Sequence, residues 1–175
     1  MTEDVSNRRG VAVNVCATVF FLAVLTWIIM FKCNLLTNDL RFGYTGKNFI
    51  PFKGIAKDKF WVECLLNAVA FVPLGYLVAA LFNNRTMLAV TLVCFGLAAF
   101  YEAFQYFIRF GSLDITDALC NGAGGVIGGL SYCVIGKRLE LFGINVPSAL
   151  LLAACVPLTV FATVQTALVF PVYVS

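Results

Sequence analysis

Histidine is absent from this sequence, and charged residues are scarce. None of the 175 residues is histidine, and only 12% are Asp, Glu, Lys or Arg, which is about half the share in a typical soluble domain. Without histidine, Ser-His-Asp and Cys-His nucleophile arrangements and histidine-ligated metal sites are excluded. The high hydrophobic and low charged content argues against a disordered chain and against a nucleic-acid-binding protein. The net charge of +3 is spread over loops and forms no single basic face.

Paired cysteines are also lacking. The chain has seven cysteines, an odd number, and none of them forms a CxxC pair. All but Cys33 lie inside apolar runs, where cysteine behaves as a small hydrophobic residue. The pattern therefore argues against a disulfide framework and against a zinc site. The sequence predicts no metal and no cofactor.

Hydrophobic residues are abundant, at 61% of the chain with a mean hydropathy of +0.93. A helix crosses the hydrocarbon core of a bilayer with about 20 apolar residues. Five stretches qualify: residues 11–31, 60–82, 87–108, 117–135 and 147–170. We therefore predict an all-α, polytopic integral membrane protein in which residues 1–175 form a single membrane domain. The first apolar run is too long for a cleaved signal peptide, so we expect an uncleaved anchor.

The positive charges on the two sides of the membrane give conflicting indications of the orientation. One side of the membrane would hold Arg8, Arg9, Arg85, Lys137 and Arg138. The other would hold Lys32, Arg41, Lys47, Lys53, Lys57, Lys59 and Arg109, so a bare count makes this second side cytoplasmic. The charge rule weakens in long loops such as residues 32–59, however, whereas the first helix and the short basic turns 83–86 and 136–145 favour the first side. We therefore expect a cytoplasmic amino terminus.

The third predicted span carries polar side chains where lipid is expected. Glu102, Gln105, Tyr106 and Arg109 would share one face of a helix. A charge at the bilayer centre costs about 2.5–3.5 kcal/mol on insertion scales, so it requires a reason. We expect the charge of Arg109 to offset that of Glu102, and one interpretation of this pair is a purely structural ion pair.

The fourth predicted span combines acidic residues with glycines. One face is formed at steps of three and four residues by Asp114, Asp117, Asn121, Gly124 and Gly128. Gly125 and Gly129 repeat the same GxxxG spacing, which lets helix backbones approach closely. We expect this span to pack against the third span along this face. A second interpretation of Asp114 and Asp117 is a helix N-cap followed by an acidic residue in the first turn.

The second predicted span contains Asn67, four residues after Glu63, and Pro73 beyond it. Pro73 leaves the carbonyl of residue 69 without its usual helical partner. Either Asn67 forms a hydrogen bond to another helix, or the proline only kinks the span.

Five short segments, in this order and spacing, resemble the VanZ-like family. They are residues 48–52 (NFIPF), 67–75 (NAVAFVPLG), 102–105 (EAFQ) and 114–117 (DITD), and then Asn121 with Gly124 and Gly125. The resemblance extends over about residues 31–132, while the first and last spans match only in being hydrophobic. The positions that match the family's motifs are Asn48, Pro51, Asn67, Pro73, Glu102, Gln105, Arg109, Asp114, Asp117 and Asn121.

The resemblance implies a function as well as a location. It implies a small, multi-pass protein of the bacterial plasma membrane, linked to resistance to the lipoglycopeptide teicoplanin with little effect on vancomycin. The implied partners are membrane lipid and either teicoplanin or a lipid-linked cell-wall precursor, with no nucleic acid. The family implies no established mechanism, and the sequence gives no oligomeric state.

Two other functions fit the residues. In a membrane enzyme, Glu102, Asp114 and Asp117 would act as general acid and base on a lipid-linked substrate. In a transporter, the same acidic side chains would line a proton or cation path. Because the sequence contains no nucleophile motif, we favour a protein that is not an enzyme.

Overall fold

The computed structural model describes residues 2–31, 46–53, 60–82, 87–109 and 112–136. Four helices are present among them: α1 (Thr2–Phe31), α2 (Phe60–Leu81), α3 (Met87–Phe107) and α4 (Ile115–Ser131), the last continued by a π-helical turn over Tyr132–Gly136. Two short strands, β1 (Lys47–Asn48) and β2 (Leu113–Asp114), precede α2 and α4. The predicted span at residues 147–170 lies outside the described residues.

Three helical segments are long and apolar enough to cross a membrane. They are Phe60–Leu81, Met87–Phe107 and Ile115–Gly136, and α1 contains the shorter apolar stretch Val11–Trp27. Large apolar side chains such as Leu65, Leu88 and Leu92 are exposed on their outer faces, where a bilayer, unlike water, would solvate them. The predicted class of an all-α membrane protein is therefore confirmed.

The helix bounds differ from the predicted spans at three points. α1 begins at Thr2, well before the apolar stretch that predicted it. α3 ends at Phe107, and a turn follows it. α4 begins at Ile115, because Asp114 caps it there.

One glycine face of α4 packs against α2, which corrects the expected packing against the third span. A methyl group added at Gly124 would overlap the backbone carbonyl of Ala68, and one added at Gly128 would overlap the carbonyl of Val72. The two helices therefore approach so closely that no side chain fits between their backbones. The side of α4 that carries Asp117 and Gly124 therefore packs against α2.

The second glycine pair of α4 faces α3, as expected. A Cβ atom at Gly125 would lie 2.5 Å from the Cβ of Cys94, and one at Gly129 would lie 2.8 Å from Val90 Cγ1. Adjacent glycines thus allow close packing against two different helices, and α4 contacts both α2 and α3.

A buried apolar core lies between α1, α2 and α3. Leu25 of α1 and Phe71 and Leu74 of α2 are fully buried there. The ring of Phe71 contacts that of Tyr101 edge-on, with 6.2 Å between ring centroids. Among the described residues, buried Thr18 lies midway along α1, and the other buried polar side chains collect nearer one end of the bundle: Asn67, Glu102, Gln105, Thr116 and Asn121.

At that end, β1 and β2 form a parallel pair in which Lys47 faces Leu113 and Asn48 faces Asp114. We call this end of the bundle the loop end. α1 and α3 end there, and α2 and α4 begin there. Contacts between Gln105 and Ile29 and between Asn67 and Asp117 hold these helix termini together. The strand pair therefore brings two segments that are distant in sequence together at the loop end.

Candidate functional site

Asp114 is the N-cap of α4. Its backbone is extended (φ −120°, ψ 119°), and its Oδ1 accepts a hydrogen bond of 2.8 Å from the backbone N–H of Thr116. Its Oδ2 accepts a second hydrogen bond of 3.0 Å from the side-chain amide of Asn48. Both carboxylate oxygens are thus used in positioning the chain, and the capping interpretation of Asp114 is confirmed.

Glu102 joins α3 to the start of α4. Its side chain is 5% exposed, and its Oε2 accepts a hydrogen bond of 3.0 Å from the backbone N–H of Asp114. A buried carboxylate is costly unless hydrogen bonds replace its hydration. Here the replacement donor is an N–H that the start of α4 leaves without an intrahelical partner.

Asn67 joins α2 to α4. Its amide donates a hydrogen bond of 2.5 Å to Asp117 Oδ1, which confirms the interpretation of Asn67 as a link to another helix. Asn67 is buried and lies about 10 Å along α2 from Phe60, at 1.5 Å per residue. Pro73 follows within α2, which continues through it to Leu81.

Thr116 is a member of the site that the sequence did not single out. It is buried, and its hydroxyl oxygen accepts a hydrogen bond of 3.0 Å from the backbone N–H of Phe52. This bond fastens the loop after β1 to the first turn of α4. The only signal in the sequence was its place between two acidic residues that were assigned to the site.

The loop after β1 forms a tight turn over residues 50–53. Pro51 occupies its second position, Phe52 its third with a positive φ of 58°, and Lys53 N–H donates to the carbonyl of Ile50 at 3.3 Å. This is the pattern of a type II turn, in which the third position is normally glycine. The left-handed conformation at Phe52 is retained because its N–H is bound to Thr116.

Gln105 lies one turn beyond Glu102 on α3 and contacts α1 instead of α4. Its side-chain amide donates a hydrogen bond of 2.9 Å to the backbone carbonyl of Ile29. That carbonyl lies near the end of α1 as described, so the bond holds this end of α1 against α3. A second link between the same helices is the 2.7 Å hydrogen bond between the hydroxyl groups of Thr26 and Tyr101.

Arg109 does not continue the polar stripe of α3, contrary to the prediction. α3 ends at Phe107, and Arg109 is exposed in the following turn with a positive φ of 58°. The turn rotates the chain away from the face that carries Glu102. Among the described residues, Lys47 does contact α3: its Nζ lies 4.9 Å from the centre of the Tyr106 ring.

Asn121 and Pro51 lie at opposite edges of the site. Asn121 is buried on α4, one helical turn below Asp117 and on the same face toward α2. Pro51 is exposed at the loop end. The site thus extends from the exposed turn down to the start of the glycine packing.

Six residues from four segments of the chain form what we call the polar layer: Asn48, Asn67, Glu102, Asp114, Thr116 and Asp117. Asn48, Glu102 and Thr116 are each joined to Asp114 by a hydrogen bond, and Asn67 is joined to Asp117. Within the part of the chain that the structure describes, no three Asp, Glu, Cys or His side chains lie close enough together to hold a metal ion. The oxygens of the layer act mainly as acceptors for protein N–H groups. Its arrangement joins the start of α4 to α2, to α3 and to the loop after β1.

The region of the chain that matches known proteins contains all the segments that form this layer. The family model described as VanZ/LLP1 matches residues 18–136, which is more than half of the chain and includes the entire polar layer. The chain belongs to the VanZ/LLP1 family. It is 25% identical to Protein VanZ of Enterococcus faecium over 121 residues, covering 69% of this chain and 73% of that protein. No solved structure matches it significantly.

Proposed function

We propose that this VanZ/LLP1 protein lowers the susceptibility of a bacterium to teicoplanin and leaves susceptibility to vancomycin almost unchanged. The proposal is supported by the family match and by the similarity to Protein VanZ. The observation that carries it furthest is the polar layer, because the residues of four motif segments converge there. The layer fixes the loop after β1 and the start of α4 at one end of a membrane bundle, a position suited to acting on molecules held at that membrane surface.

The proposal includes an orientation for a multi-pass protein in the plasma membrane. With a cytoplasmic amino terminus, α1 leads to the outer surface and the loop end faces outward. The order of the helices is compatible with this, since α1 and α3 finish at the loop end and α2 and α4 begin there. The polar layer would then lie at the face where a glycopeptide meets its target.

The selectivity follows from the chemistry of the drug. Teicoplanin differs from vancomycin chiefly by a fatty-acyl chain, and each buried CH₂ contributes about 0.8 kcal/mol to membrane binding. The fatty-acyl group therefore holds teicoplanin in the outer leaflet beside its lipid-linked cell-wall target. A membrane protein that disturbs this anchoring, or access to the precursor, affects teicoplanin far more than vancomycin.

Growth inhibition of a susceptible Gram-positive host tests the proposal. Cells that express the chain are compared with vector-only cells against teicoplanin and vancomycin side by side. We expect the inhibitory concentration to rise for teicoplanin and to stay level for vancomycin. An equal rise for both drugs, or no rise at a verified membrane level of the protein, would contradict the proposal.

Two variants separate the polar layer from packing in this assay. Glu102→Gln keeps the size of the side chain and an oxygen acceptor for Asp114 N–H, but removes the charge. Gly124→Leu overlaps the backbone of Ala68 and should reduce the amount of folded protein. Loss of protection in Glu102→Gln at the parental protein level would assign a working role to the charge of Glu102.

Reporter fusions test the orientation separately. Fusions after Lys53 and after Arg85 should report opposite sides, with Lys53 outside and Arg85 in the cytoplasm. A cytoplasmic signal from the Lys53 fusion would place the polar layer inside the cell. Direct action on drug at the outer leaflet would then be excluded.

A further inference from the structure

The turn after β1 exposes large apolar side chains at the loop end of the bundle. Phe49 is 63% exposed and Ile50 is 60% exposed, and Phe52 beside them is also exposed. We refer to residues 49–52 as the apolar tip. Loops at a water-facing surface are ordinarily polar, whereas a contiguous exposed apolar patch marks a surface that is covered by something else.

The apolar tip is held in a fixed position. Asn48, directly before it, donates to Asp114 Oδ2 at 3.0 Å, and Asn48 Oδ1 accepts from Ile50 N–H at 3.3 Å. At its other end, Phe52 N–H is bound to Thr116. The apolar side chains are therefore presented by a structured turn that is fastened to α4 at Asp114 and Thr116.

Aromatic contacts connect the tip to the lipid-facing surface of α2. The rings of Phe52 and Phe60 contact each other at 6.4 Å, and those of Phe60 and Trp61 at 5.2 Å between centroids. Trp61 is exposed on the first turn of α2. Tryptophan near the end of a membrane helix is typical of the boundary between headgroups and acyl chains, which favours that level for the tip.

Cations flank the tip on both sides. Lys47 and Lys53 are exposed, one just before and one just after the apolar residues. Lysine side chains beside apolar surface extend their ammonium groups toward the phosphates while their stems stay in the apolar region. An apolar tip between two lysines matches the layered chemistry of a leaflet, with acyl chains below and phosphates above.

We propose that the apolar tip inserts into the acyl-chain region of the leaflet at the loop end, with Lys47 and Lys53 at the level of the phosphates. The occupant of the exposed surface of Phe49 and Ile50 is lipid hydrocarbon. Insertion would fix the height of Asn48, and through it that of the polar layer, relative to the membrane surface. The proposal does not depend on which face of the membrane the loop end occupies.

Fluorescence quenching by brominated phospholipid tests the insertion in the full chain, reconstituted at one copy per nanodisc. Trp27→Phe and Trp61→Phe remove the native tryptophans. Single tryptophans are then introduced as Phe49→Trp, Ile50→Trp or, as the matched control, Lys47→Trp. We expect acyl-chain bromine to abolish most of the emission at both tip positions, and to quench position 47 less.

Emission from the tip variants that is quenched no more than that of Lys47→Trp would overturn the proposal. Two tip positions are used so that one poorly folded variant does not decide the result, and far-UV circular dichroism verifies the helix content of each. If tip quenching appears only at several copies per nanodisc, a second copy of the chain determines the tip position, and the proposal is wrong. Failure of the drug assay leaves this measurement unaffected.

Discussion

Exchanging the two side chains of the Asn48–Asp114 pair should restore a hydrogen bond that either single substitution breaks. Asn48 donates to Asp114 Oδ2 at 3.0 Å, while Asp114 Oδ1 accepts from Thr116 N–H. Asp114→Asn keeps the cap, because Asn and Asp are equally good N-caps, but turns an amide toward the amide of Asn48. Asn48→Asp instead places two carboxylates against each other.

The double variant has the same groups in reversed order. Asp at position 48 can accept from Ile50 N–H with one oxygen, as Asn48 does now, and from the amide at position 114 with the other. A hydrogen bond to a charged group contributes about 1.5–3 kcal/mol. We expect each single variant to lose about this much free energy of unfolding and the double variant to regain most of it.

The assay is reversible unfolding in mixed detergent micelles by titration with sodium dodecyl sulfate, followed by far-UV circular dichroism. The four proteins form a double-mutant cycle, whose coupling energy isolates the pair. A double variant that is no more stable than the weaker single variant would refute the reasoning. It would mean that the strand pair forms without this contact.

Two further predictions use the same titration. Gly124→Ala should lower the free energy of unfolding by about 1–3 kcal/mol through overpacking, because its methyl group meets the carbonyl of Ala68. The matched control Gly96→Ala should be neutral or stabilising, because its methyl group would meet nothing within 4 Å beyond the adjoining backbone of its own helix. Gln105→Leu should cost about 1–3 kcal/mol, because it leaves the carbonyl of Ile29 without its donor; an unchanged midpoint would show that this link between α1 and α3 contributes little.

The spans could be predicted from sequence because bilayer thickness sets the length of an apolar helix. Residues 60–82 and 87–108 were predicted, and helices are found at Phe60–Leu81 and Met87–Phe107. The cap at Asp114 was also predictable, because an N-cap depends on residues adjacent in sequence. These features are local, and local chemistry determines them.

The partners of these helices could not be predicted in the same way. Glycine spacing indicates that Gly124 and Gly128 allow a close approach, but it does not say whether α2 or α3 approaches. Asn48 and Asp114 are separated by 66 positions, and two-residue strands carry no alternation that would reveal their pairing. Arg109 was placed on a helical face that exists only if α3 continues, and the turn after Phe107 ends it.

The measurement that tests the central claim most directly is growth inhibition of a host carrying the Asn48/Asp114 exchange set. The central claim is that the VanZ/LLP1 chain protects against teicoplanin through a polar layer held by this contact. We predict selective protection in the parent, loss of protection in each single variant, and its return in the double variant, at equal membrane levels. Full protection in both single variants, or none in the parent, would contradict the account.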